Sequence, residues 1–206
     1  MNSKPADAVL LLQSYSKSNQ ELLLTLLTVA ASLSEAAAKA DDTQKTMSAN
    51  VQALEQCIDD LRRHAALRFD KVCFCQWIDK FGVYEPLPDG HAFLPGSQVH
   101  VYVELRNFAS EHKGHGFETR LASRVKILDS QGNLVPGCEW SFNDRNRPEH
   151  SLSLRHDYFI NYTLPLPRTM PPGHYKLVLH VDDLPTHRCS EQPMDLILTT
   201  RPMAAN

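Results

Sequence analysis

Val99, Val101, Val103 and Leu105 alternate with His100, Tyr102, Glu104 and Arg106. A strand sends successive side chains to opposite faces, so Gln98–Phe108 predicts a β-strand whose aliphatic row enters a core. Pro95-Gly96 supplies the turn before it. Related patterns recur along the chain. Lys71–Ile78 predicts a short strand, and Phe117–Leu128 a long one with Leu121, Val125 and Ile127 on one face. The turn Asp129-Ser130-Gln131-Gly132 leads into Asn133–Phe142 as a hairpin. Ser151–Leu166 carries Tyr158, Ile160, Tyr162 and Leu164 on one face, and Tyr175, Leu177, Leu179 and Val181 form another inward row. Met194–Thr200 is the last strand. Ala109–Gly116 and Asn143–His150 are polar and predict loops. About seven strands at this spacing, with no helical pattern between them, predict an antiparallel immunoglobulin-like β-sandwich. The Cys-Trp-Cys signature of true immunoglobulin domains is absent, so the expected likeness is one of architecture.

The N-terminal part differs. Between Ala6 and Phe81 there is neither Gly nor Pro. Leu12, Tyr15, Asn19, Leu22, Leu26, Val29, Leu33 and Ala36 step by threes and fours, a heptad seam that Leu23 and Leu27 widen. Pro5 suits the first turn of a helix. Met47, Val51, Leu54, Ile58, Leu61 and Ala65 form a second seam, with Asp59 able to meet Arg62 and Arg63 beside it. Asp41 and Gln44 suit a variant capping box. These features predict a helical hairpin turning near Lys39–Thr43, with one long rod as the alternative. The whole is α+β: a helical hairpin or coiled-coil-like segment over 1–70, an immunoglobulin-like sandwich over 71–201 and a disordered tail over 202–206.

A chain of 206 residues can bury a sizeable core. Its net charge is −3. Met1–Asp70 holds seven basic and nine acidic residues, leaving fourteen and fifteen for the rest, so neither part has the one-sided excess of a nucleic-acid or membrane-surface binder. No apolar run reaches the roughly 18 residues of a membrane span. Leu22–Leu33 has the length of a signal-peptide core, but no short basic segment precedes it, and it fits a helical face instead. Five cysteines without framework spacing point to reduced thiols, and with no signal pattern they favour the cytoplasm.

No catalytic template is present: no G-x-S-x-G, Walker loop, G-x-G-x-x-G or H-E-x-x-H. The densest polar cluster is His180–Cys189. Here His180, Asp182, Asp183, His187 and Cys189 have metal-ligand chemistry, with His180 and Asp182 on one strand face and His187 able to fold back from the loop. The spacing matches no closed zinc template, so no metal or other cofactor is assigned and these residues stand only as candidates. Cys73 and Cys75 share a strand face, where thiols are expected to be buried and inert. Tyr102, Glu104 and Arg106 form an outward row suited to an interface, and His112 and His115 share the polar loop. Trp77 and Trp140 are candidate sugar-stacking platforms or packing residues.

The runs AALRFDKVCFCQWIDKFGVYE, FLPGSQVHVYVELRNF, DSQGNLV, RHDYFINY and PPGHYKLVLHVDDL extend over about Ala65–Leu184. They resemble the C-terminal part of an uncharacterised group of planctomycete proteins. In that group a helical region precedes a β-rich domain carrying F-x-P-G-Q, Y-x-E-x-x-N-F, D-x-x-G and R-R-D-F-F-I-x-Y. Ser97 is an extra residue between the Gly and Gln of the first motif, and His156 replaces the second arginine of the last. The resemblance implies a bacterial protein, shorter at its N-terminus than the group's members, and a shared fold. It carries over no activity and no catalytic residues. The expected function is therefore a non-enzymatic interaction or structural module whose helical segment docks a protein partner or self-associates. The alternatives are a carbohydrate- or small-ligand-binding sandwich and a metal-dependent enzyme built on His180, Asp182 and His187.

Overall fold

The computed structural model describes residues 14–38, 43–143 and 148–200. It is a mixed α+β protein, mostly β-sheet, that divides into two compact units, Met1–His64 and Ala65–Asn206. The boundary precedes the sequence-based one after Asp70, because β1 (Arg68–Lys80) already starts at Arg68. Among the described residues no helix is long and apolar enough to cross a membrane.

The first unit holds α1 (Lys17–Ala38) and α2 (Thr43–His64), which pack on each other. Ser16 caps α1, its carbonyl accepting from the Gln20 amide at 2.9 Å. Tyr15, expected within the helix, lies in the turn ahead of it. Pro5, Leu12 and residues 39–42 of the expected turn lie outside the described residues, as do the expected tail 202–206 and the Asp41 capping position. Asp59 and Arg62 pair at 3.0 Å as the spacing requires. Among the described side chains, Asn50 and Cys57 are buried on α2 and Val29 on α1. Asn50 and Cys57 each precede a seam residue by one position, about 100° round the helix, and Leu54 of the seam is half-buried. Met47, Val51, Ile58 and Leu61 are consequently 42–53% exposed.

In the second unit twelve strands form three sheets among the described residues. The first has the order β10 (Tyr158–Pro165), β4 (Gln98–Arg106), β1, β2 (Val83–Pro86) and is antiparallel throughout. The second has the order β3 (Ala92–Phe93), β12 (Arg188–Leu198), β11 (Gly173–Asp183), β7 (Leu121–Leu128), β8 (Leu134–Asn143), with only the β3–β12 pair parallel. The third is small: β5 (Ser110–Lys113), β6 (Gly116–Thr119), β9 (Glu149–Ser151). One core joins the two larger sheets. Val99, Val101, Val103 and Leu105 from β4 meet Val125 and Ile127 from β7, Leu177, Leu179 and Val181 from β11, and Leu196 from β12, all fully buried.

Five of the twelve strands, β2, β3, β5, β6 and β9, are two to four residues long, too short for alternation to reveal. The polar stretch Ala109–Gly116 therefore folds mostly as β5 and its turn into β6 rather than as an open loop. The expected strand Phe117–Leu128 breaks at Arg120: Thr119 pairs with Glu149 in the small sheet, whereas Leu121 pairs with Asp183 in the large one. The Pro95-Gly96 turn forms as expected. Gly96 has φ +82°, and Leu94 O accepts from Ser97 N at 3.1 Å, a type II geometry that favours glycine at this position. A Cβ on Gly96 would also stand 2.7 Å from the Arg168 side chain.

The outer face of β4 is covered. Beyond Cys75, β1 leaves β4 and pairs only with β2, and the turn between them closes over Tyr102. The Tyr84 ring stacks on Tyr102 at 3.9 Å, and the Gly82 amide donates to its hydroxyl at 2.8 Å. That hydroxyl donates to Glu104 Oε1 at 2.7 Å. Tyr102 is 0% exposed, and burial pushes its phenol up to about 12.

At the end of β11, Asp183 is also 0% exposed. Its Oδ2 accepts from Arg188 Nη2 at 2.8 Å, Thr186 Oγ1 at 2.6 Å and the Ala109 amide at 3.1 Å. Arg188 further donates to Thr186 Oγ1 and to the Ala65 carbonyl. One carboxylate thus ties the β11–β12 turn to the start of the domain and to the chain leaving β4.

Arg188→Ala is expected to cost about 3–5 kcal/mol in urea unfolding, because it strands a buried charge, and adding Asp183→Asn should return part of that loss. Tyr102→Phe should cost about 1–2 kcal/mol in the same measurement, by leaving the Gly82 amide and Glu104 without their shared partner.

Candidate functional site

Antiparallel register assembles a polar patch on the outward face of the second sheet. His180 and Asp182 lie two residues apart on β11 and so share a face. The pairing sets Asp182 directly across from Cys189 and His180 across from Glu191 on β12, with side chains on that same face. His180 Nε2 is 3.0 Å from Asp182 Oδ1, and His180 Nδ1 is 3.7 Å from Glu191 Oε2. One ligand atom each from His180, Asp182 and Cys189 lies within 4.8 Å of the others. His180 and Asp182 are half-buried and Cys189 is exposed. On the other side of His180, Arg124 of β7 occupies the facing position.

Two of the expected ligands fall elsewhere. Asp183 points inward, into the Arg188 network. His187 lies in the turn between β11 and β12 with φ +56° and joins no ligand cluster among the described residues. It lines a cleft of about 400 Å³ with Arg124, Asp182 and Phe142. Glu191 was not singled out in the sequence, because only the strand register places it behind His180.

The outward row on β4 is not an open surface. Tyr102 is enclosed, and Glu104 accepts its hydroxyl. Arg106 is held by Asp70 at 3.1 Å and by the His156 carbonyl at 3.3 Å. The Arg106 hydrogen bond, seconded by Arg68, keeps the Asp70 carboxyl below its ordinary range. His112 sits edge-on to Phe117 with ring centres 5.4 Å apart, and His115 is exposed near the β5–β6 turn. Neither joins a ligand cluster among the described residues. The charged centre there is Glu118, whose carboxylate meets Lys113 at 2.6 Å and Arg120 at 3.3 Å. The Lys113 hydrogen bond, first of several influences, lowers the Glu118 carboxyl.

Cys73 and Cys75 have sulfurs 3.7 Å apart on β1. Burial, and then the hydrogen bond with Cys73, push the Cys75 thiol up to about 12, which keeps it protonated and unreactive. Cys138 is buried against Met170 and is also raised by desolvation. Trp140 packs against the core, whereas Trp77 on β1 is 46% exposed.

No protein-family model matches the chain, and no curated protein is similar to it. Among solved structures, the C-terminal domain of Wzt is 11% identical, with 69% of this chain and 83% of that chain covered and a TM-score of 0.40. A family 123 glycoside hydrolase from Clostridium perfringens is 10% identical over 54% of this chain and 22% of that chain, with a TM-score of 0.38. Spo0M, a sporulation control protein from Bacillus subtilis, is 9% identical over 66% and 51%, with a TM-score of 0.35.

Proposed function

We propose that the chain is a non-enzymatic interaction module in which α1 and α2 form an antiparallel hairpin that self-associates and displays an immunoglobulin-like β-sandwich. The observation that carries this reading is the outward seam of α2. Met47, Val51, Ile58 and Leu61 recur at heptad spacing and are 42–53% exposed, while Leu24 and Leu27 on α1 are 52% and 58% exposed. A heptad seam is complementary to a second copy of itself, and paired helices bury it by knobs-into-holes packing. A second hairpin is therefore the occupant that fits, giving a helical bundle with a sandwich attached to each hairpin.

The planctomycete resemblance suits this reading, since its motif residues serve turns and packing. Pro95 and Gly96 build the type II turn. Tyr102 and Glu104 bond to each other, Asn107 takes a left-handed φ of +63°, and Phe108 is buried. Asp129 Oδ1 accepts from the Gln131 and Asn133 amides at 2.9 and 2.8 Å, which organises the turn that ends at Gly132. One observation favours a second reading, a carbohydrate-binding sandwich: the exposed Trp77 indole, with Phe81 also exposed on the same hairpin.

The deciding measurement is the solution mass of the full chain across micromolar concentrations, beside Val51→Glu/Ile58→Glu. The expected result is a dimer or larger species for the natural chain and a monomer for the variant. Its self-dissociation constant should rise at least about 100-fold, since charges replace apolar contacts on every copy. A natural chain that stays monomeric throughout overturns the proposal.

A further inference from the structure

We propose that His180, Asp182 and Cys189 bind one zinc ion, with Glu191 orienting the His180 imidazole from behind. Nitrogen, oxygen and sulfur donors at bond lengths of about 2.0–2.3 Å around a tetrahedral ion stand roughly 3.3–3.6 Å from one another. The three ligand atoms lie within 4.8 Å of one another, and the His180–Asp182 pair is at 3.0 Å. Binding draws the three ligand atoms in from that limit, and Cys189 is the exposed member of the set.

The Glu191 carboxylate supplies an independent observation. A ligating histidine commonly offers its second ring nitrogen to a carboxylate, which fixes ring orientation and tautomer. His180 is placed for it: Nε2 is 3.0 Å from Asp182 Oδ1, while Nδ1 is 3.7 Å from Glu191 Oε2, a charge contact that a further approach turns into the hydrogen bond. The donor set selects the ion. A thiolate and an imidazole suit zinc, whereas magnesium and calcium take oxygen ligands. A single thiolate is too few for an iron–sulfur cluster. Cys189 releases its proton on binding, so thiolate and carboxylate together balance the two positive charges of the ion. Water completes the fourth position. The ligands stand on paired strands of the second sheet, a rigid support for such a site.

The test uses the full chain, reduced and freed of metal, titrated with Zn²⁺ against a chromophoric chelator. Alkylation of each cysteine is mapped by mass spectrometry with and without the ion. One equivalent is expected to bind and to protect Cys189 from alkylation. His180→Ala and Cys189→Ser should each weaken binding by at least about 100-fold, and Glu191→Gln by about 10-fold. None of the four groups is fully buried, and urea unfolding of each variant is measured alongside: an unchanged midpoint separates lost ligation from lost fold. No zinc uptake at micromolar free ion overturns the proposal. So does unchanged affinity in Cys189→Ser, which would place the ion elsewhere, or equal labelling of Cys189 with and without zinc. Zinc uptake is read per chain, so the outcome does not depend on self-association.

Discussion

A carboxylate with no exposure to solvent must be neutralised by groups within the fold, and Asp183 imposes that condition on the β domain. Its partners come from four separate places: Arg188 on the next strand, Thr186 in the turn, the Ala109 amide after β4, and through Arg188 the Ala65 carbonyl at the domain's start. A buried ion pair contributes little net stability but makes loss of either partner expensive. The network thus specifies which segments meet. The β11–β12 turn cannot shift register without leaving the charge unpaired, and that register also sets the outward patch of His180, Asp182, Cys189 and Glu191.

Inward and outward requirements therefore meet on two strands. The inward row Leu177, Leu179 and Val181 supplies core, Asp183 supplies the tie, and the intervening His180 and Asp182 stay half-buried on the other face. The first sheet has no such freedom. Its outer row is consumed by structure, because the β1–β2 turn folds across Tyr102 and the ion pairs of Asp70 hold Arg106. The same type of strand pattern thus gives a partly open polar face in one sheet and a second packed layer in the other.

The long strands were legible because a half-buried strand must alternate, and β4, β7 and β11 do so over eight or more residues. The short strands were not, since two to four residues carry no period; β2 and β5 are held by the adjacent strand, β3 and β9 by pairing with distant segments. The candidate site was half legible. His180 and Asp182 share a face by local geometry alone, and Cys189 was recognisable by type. Glu191 and the exclusion of Asp183 and His187 depend on cross-strand register and on which way each residue faces. Tyr102 shows the same limit. Alternation says that it lies opposite the core, but not that another hairpin covers it.

By itself the sequence determined the division into a Gly- and Pro-free helical part and a strand-rich part, the inward rows of the main strands, the Pro95-Gly96 and Asp129–Gly132 turns, and the two heptad seams. These are set by neighbours a few residues apart, through backbone geometry and periodic burial. Only the tertiary structure decided that Asn50 and Cys57 are buried on α2 while Met47, Val51, Ile58 and Leu61 are exposed, that Tyr102 is enclosed, and that Glu191 stands behind His180. Each of these depends on contacts between residues far apart in the chain, and such pairings leave no local trace in the order of the amino acids.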